Sequence, residues 1–195
     1  MSVSQASSML STVASVPHLL DRLAIERIVE AIGMKLEGEW LLVGGALVAL
    51  WLEPRRVTED VDVMGLGGTA EERYALMELA IELGLPVEAV NSAADFFVHR
   101  VEGWRNEIEV LRSGSRSTIY RPTVTLFVLL KMARLSEQDL EDCRAALAHA
   151  RAVDAPLNLA RLSSRLAELQ TTEDEGLRTR RLALAQMLAG SATTG

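Results

Sequence analysis

The feature that most limits what this chain can fold into is a short apolar run, Trp40 to Val43, that stops at Gly44-Gly45 and resumes at once from Ala46 to Leu52. The first run has strand length, the glycines permit a tight reversal, and the second run continues at helical length until Pro54. The spacing therefore predicts strand, tight turn, helix. A second strand is predicted over Val61 to Met64, ended by glycines, and a helix over Thr69 to Leu83. Glu71 and Glu72 stand near that helix's positive end and Gly84 caps it. Strands and helices in this order predict an α/β chain of the α+β kind, with a small sheet flanked by helices.

The remaining segments divide by the same signals. Apolar residues from Leu19 to Ile32 recur at helical spacing and predict an amphipathic helix over Pro17 to Lys35. Phe96 to Val101 and Glu107 to Leu111 are β-prone runs around Glu102-Gly103, which predicts a hairpin. A short strand over Ser117 to Arg121 precedes Pro122, and Val124 to Leu135 reads as a helix carrying Lys131 and Arg134. Ser136 and Asp139 form a capping box that opens a helix to about Arg151. Leu157 to Leu169 is another helix, and after Glu173-Asp174-Glu175 a last one carries Arg178, Arg180 and Arg181. The expected organisation is a flexible Ser-rich leader over 1–16, a core over 17–135, a helical C-terminal region over 136–189 packed on it, and a tail over 190–195. Sheet order is not legible.

About half of the 195 residues are apolar, enough for one compact unit. A net charge of −7 removes any general attraction to nucleic acid, so such a partner would need a local basic patch. The one cysteine, Cys143, excludes an internal disulfide framework and is expected buried and inert, which fits a reducing cytoplasm. No apolar run reaches the roughly 18–20 residues of a membrane span. No membrane partner is expected.

Asp60 and Asp62 lie one residue apart on a predicted strand, so both carboxylates point to one face. Paired like charges call for a cation. Mg²⁺ suits them, because it takes oxygen ligands and is usually held by one or two carboxylates together with substrate phosphates. Glu109, between Ile108 and Val110 on a later strand, is the candidate third acid, with Glu107 as the second choice on the same strand face. At Gly44-Gly45, backbone N–H groups at a helix start can meet a phosphate closely.

In order, Val43-Gly44-Gly45-Ala46, then Arg56 to Val63 with Asp60 and Asp62, then an apolar-flanked acid, resemble the motif set of the polymerase-beta-type nucleotidyltransferase superfamily. Lys131 to Arg134 followed by Asp139 to Asp142 is similar to the lysine helix and charged helix of abortive-infection-type toxin nucleotidyltransferases. The resemblance covers about Glu39 to Ala150. It implies a mixed-sheet catalytic core that uses Mg²⁺ to move a nucleotidyl group from an NTP to a hydroxyl acceptor. By the same resemblance Gly44 and Gly45 stand at the triphosphate, Asp60 and Asp62 on the metals, Glu109 as third carboxylate, Lys131 near phosphate, and Arg56 and Thr58 beside the site. Two positions depart from the family's habit: Gly45 where Ser is frequent, and Glu109 where Asp is frequent. The implied acceptor is open among a tRNA end, a protein and a small molecule, and the implied partner is the antitoxin of a bacterial toxin–antitoxin pair.

Other residues read more plainly. His99 alternates with Phe97 and Val101 on a predicted strand as a surface or partner-bonded side chain, and His18 and His149 are helix-face residues. Gly65 to Gly68 lacks dinucleotide-loop spacing and is expected to be a turn. Trp51 and Trp104 are expected to pack. Two further function classes stay open, a catalytically inactive binding module that acts through a protein partner and an antitoxin-like helical interaction protein.

Overall fold

The computed structural model describes residues 19–169 and 174–192. The leader over 1–16, Pro17, His18, Glu173 and residues 193–195 lie outside the described residues. Among those described, a five-stranded mixed sheet in the order β3-β2-β1-β5-β4 is flanked by helices. The strands are β1 (Gly38–Leu42), β2 (Val61–Gly65), β3 (Val90–Asn91), β4 (Ile108–Ser113) and β5 (Ser117–Pro122). The helices are α1 (Arg22–Lys35), α2 (Gly44–Trp51), α3 (Ala70–Glu82), α4 (Asp95–Val98), α5 (Val124–Met132), α6 (Glu137–Ala152), α7 (Leu159–Glu168) and α8 (Glu175–Ala192).

Strand β1 is central. It runs antiparallel to β2, with Leu42 opposite Val63, and parallel to β5, with Leu41 opposite Tyr120. Because side chains alternate, each face of the sheet buries its own apolar set. One face carries Trp40, Leu42, Val61, Val63 and Ile119 into a large core shared with α1, α2, α5 and α6. The other carries Leu41, Val43 and Met64 against Val98, Trp104 and Leu126. The large core continues through Leu162 and Leu166 of α7 to Leu184 and Leu188 of α8, across the 135/136 boundary drawn from the sequence. No described helix is long and apolar enough to cross a membrane.

Local chemistry explains most of the ends. Asp21 accepts the Ala24 N–H at 2.8 Å and starts α1 later than the sequence suggests, at Arg22, while Leu20 exchanges two backbone hydrogen bonds with Thr58. Thr69 with Glu72 and Ser136 with Asp139 form complete capping boxes. The glycine turn after β2 is held by its own helix, since Gly67 N–H donates to Glu72 Oε1 at 3.0 Å. Helix α8 passes Gly190, where a tail was expected, and Arg151 Nη2 donates to Ser191 Oγ at 2.7 Å.

The predicted strand over Phe96 to Val101 is not formed. That stretch makes the single-turn α4 and then a 3₁₀ turn over Trp104–Glu107, so Glu102-Gly103 is no hairpin and His99 is on no strand. The residues that bury are Val98 and Trp104, with Val101 half-buried beside them, a spacing of three that a turn satisfies and a strand does not. Phe96 and Phe97 stay exposed. The hairpin lies one step later, between β4 and β5, with a bulge between Val110 and Arg112. The two-residue β3 has no periodic signal in the sequence.

Helices α5 and α6 are joined by buried charge. Lys131 Nζ donates to Asp139 Oδ1 at 2.8 Å and to Asp142 Oδ2 at 2.9 Å, and both carboxylates are at least 98% buried. Arg134 adds two bonds to Asp139, and Ser136 two more. Burial pushes the Asp139 carboxyl up, yet the bonds from Arg134 and Lys131 override it and hold the group well below the usual carboxylate range. A depressed folded pKa contributes stability above the unfolded value that is lost as pH falls through the acid range. Asp139→Ala is therefore expected to destabilise the protein by about 3–5 kcal/mol at pH 7, leaving Lys131 buried beside one remaining partner, and by less near pH 2. Urea unfolding at both pH values measures this.

Candidate functional site

The acid pair sits where β2 begins, beside the turn that starts α2. Val43 N–H donates to the Asp62 carbonyl at 3.0 Å, which brings the glycine turn alongside Asp62. Gly44 has φ of +70°, and a Cβ there would collide with the Asp62 carboxylate. Only glycine meets both demands. At Gly45 a Cβ would stand 2.7 Å from Thr58 Oγ1, with Arg56 Nη2 at 3.9 Å. The Gly45 departure from Ser thus has a steric cause in this fold: the Thr58 hydroxyl fills the space a larger residue at 45 needs. The start of α2 has no side-chain cap, so its first N–H groups are left without a side-chain acceptor.

Asp60 and Asp62 share the face of the sheet that carries Met64. Thr58 Oγ1 donates to Asp60 Oδ1 and Asn91 Nδ2 to Asp60 Oδ2, each at 3.4 Å. Burial pushes the Asp62 carboxyl up, the Asp60 charge adds to this, and Lys131 and Arg134 oppose it, for a value of about 6. Arg134, an exposed cation, is therefore part of the electrostatic surroundings of the pair. The Nε of Arg56 is buried without a hydrogen-bond partner among the described residues.

Glu109 is placed elsewhere, and Lys131, whose charge still acts on Asp62, is engaged by other partners. From Asp62, the row of neighbours across β1 and β5 runs through Val43 and Pro122 to Ile108. Glu109 is one residue further on and so points to the opposite face, opposite Arg121. Arg121 binds it at 2.6 Å and lies 4.2 Å over the Trp51 ring. Glu107 is bound by Arg161 and by Thr123 Oγ1, tying the end of the 3₁₀ turn to α7 and the start of α5. Lys131, expected at phosphate, spends two of its three donors on Asp139 and Asp142. Burial works against its charge, but the two carboxylates outweigh burial and raise its pKa.

Asp60 and Asp62 are the two residues that could hold a Mg²⁺ ion, which would take its remaining ligands from phosphate and water. Among the described residues, no group of three or more His, Cys, Asp or Glu side chains is placed to share a metal ion. Asn91 and Arg134 are neighbours of the pair to which the motif resemblance gave no role at the site. Arg134 was legible as a helix-face charge, whereas Asn91 carried no signal. The other candidates are structural: His149 Nε2 accepts from Trp51 Nε1 at 3.1 Å, His99 Nδ1 contacts Asp95, Trp104 is buried, and burial pushes the Cys143 thiol up to about 12. A cavity of about 380 Å³ between α7 and α8 is lined by Leu, Ala and Ser alone.

The raised Asp62 value sets a sign. A folded pKa of about 6 above the unfolded 3.8 means that the group's stability is fully present below pH 4 and is lost as pH rises through 6. In metal-free protein Asp62→Asn is expected to raise stability by roughly 1–3 kcal/mol at pH 7.5 and to change it little at pH 4. Thermal melts at both pH values, with chelator, check this.

Compared with protein-family models, with curated proteins and with solved structures, the chain matches none.

Proposed function

We propose that this protein is a nucleotidyltransferase that binds an NTP with Mg²⁺ at the corner formed by Gly44, Gly45, Asp60 and Asp62, and passes the nucleotidyl group to a hydroxyl acceptor. The observation that carries the reading is the packing of the half-buried Asp62 carboxylate, with Asp60 beside it, against the uncapped start of α2. Two adjacent carboxylates repel, and the N–H groups at a helix start attract anions. A divalent cation with a polyphosphate satisfies both at once.

Each residue then has a physical task. Asp60 and Asp62 hold the ion, the first N–H groups of α2 face phosphate oxygens, and Arg56, beside Gly45 with a free buried Nε, adds positive charge there. Mg²⁺ in such a place offsets the charge that builds on the leaving pyrophosphate. Arg134 and the remaining donor of Lys131 supply positive potential next to Asp62. A toxin role beside an antitoxin in the cytoplasm, with a tRNA end, a protein or a small molecule as acceptor, is supported by the motif resemblance alone.

A second reading is favoured by one observation. Glu109 is engaged by Arg121 on the far face of the sheet, so the pair lacks the third carboxylate that the resemblance implies. On that reading the protein binds nucleotide without transferring it and acts through a protein partner.

Two measurements separate these. At about 100-fold excess over its dissociation constant, Mg²⁺-NTP stabilises the folded state by about 2.7 kcal/mol, or roughly 5–10 °C in melting temperature for a chain of this size. Asp60→Ala and Asp62→Ala are expected to abolish that shift. Incubation with each labelled NTP, Mg²⁺ and cell extract is expected to label an acceptor in the parent and not in either variant. A melting shift without labelling selects the binding module, and no shift with any NTP at millimolar concentration overturns both. Glu109→Gln is expected to leave the shift unchanged, because its side chain points away from the pair.

A further inference from the structure

Strand β3 pairs with β2 so that Asn91 lies directly beside Asp62, on the face that carries both acids. Its carboxamide is held in one orientation. Oδ1 accepts the Ala93 N–H at 2.8 Å, and Nδ2 donates to the Glu88 carbonyl at 3.1 Å. Turning the amide over would set donor against donor at Ala93 and acceptor against acceptor at Glu88, so the loop backbone fixes which end faces the acids. The remaining Nδ2 hydrogen points to Asp60 Oδ2 at 3.4 Å. With Thr58 Oγ1 on the other oxygen, the Asp60 carboxylate is approached by a donor on each side. No described side chain hydrogen-bonds to Asp62, whose carboxylate instead rests on Gly44.

From this we propose that Asn91 is a positioning residue: it orients Asp60 toward the bound cation, and as a donor-only neighbour it keeps the cation site to two carboxylates. The inference rests on the reading of Asp60 and Asp62 as metal ligands. Groups that hydrogen-bond to metal-binding carboxylates commonly change metal affinity by about 10- to 100-fold when removed, because an unheld carboxylate must be ordered as the ion binds. Aspartate at 91 keeps the acceptor for Ala93 N–H and replaces the donor with a third carboxylate oxygen beside the pair.

The test uses the full chain, metal-free, titrated with Mn²⁺ alone and followed by electron paramagnetic resonance of the free ion. Asn91→Ala is expected to weaken Mn²⁺ binding about 10-fold, and Asn91→Asp to tighten it by a similar factor. Asn91→Asp is also expected to melt lower than the parent in chelator at pH 7.5 and to recover when Mn²⁺ is added. A residue that serves only the loop would lower the melting temperature in both variants and leave Mn²⁺ affinity unchanged, which would overturn the proposal. If Asn91→Ala does not fold, the opposite sign expected of Asn91→Asp decides alone. If the parent itself binds no Mn²⁺ at millimolar concentration, the reading of Asp60 and Asp62 as metal ligands fails and the positioning role falls with it, an outcome distinct from a parent that binds while both variants keep its affinity.

Discussion

The register of β1 against β2 is the constraint on which the candidate site depends. With Leu42 opposite Val63, Val43 reaches the carbonyl of Asp62 and the chain must turn immediately afterwards, over the carboxylate. Gly44 takes a positive φ in that turn, and its missing side chain is the space the carboxylate occupies. A slip of one residue would bury Asp60 and Asp62 in the large core and turn Val61 and Val63 outward. The apolar rows that hold the register therefore also hold the acids at the corner.

Buried charge on the other side of that corner does a different job. Lys131, Asp139 and Asp142 fasten α5 to α6, and the positive charges of Lys131 and Arg134 act on Asp62 against its burial. The lysine is both a structural tie and a contributor to the site's electrostatics. A buried cation with two carboxylates is a poor source of stability compared with apolar packing, but it fixes geometry, since loss of one member leaves the others unpaired. It also joins the helices that follow residue 135 to the sheet, through the same core that holds α7 and α8.

Physical chemistry within a few residues was enough to read the strand-turn-helix around Gly44-Gly45, the strand that follows Asp60 and carries Asp62, the capping box at Ser136, and the helical second half. It was also enough to place both aspartates on one face, because the period of two is a property of any strand. Phe96 to Val101 misled because aromatic and β-branched residues score as strand wherever they stand, while the packing partner that decides their conformation, Trp104, lies beyond the run. The bond from Asn91 to Asp60 spans 31 residues and has no local trace.

The face of Glu109 was settled only by the tertiary structure. Its neighbours in sequence say that it alternates with Ile108 and Val110, and nothing in them says which of these shares a face with Asp62 three strands away. That follows from the pairing of β5 with β1 and of β4 with β5, and from which apolar rows are buried together. Lys131 is alike: its helix is legible, but its partners are chosen by how α6 packs. The sequence by itself determined the glycine turn, the acid pair and most of the elements outside the stretch from Val90 to Glu107, because these depend on contacts within a turn or a strand. The assembly of the site needed the fold, because register and helix packing are set by burial across the whole sheet.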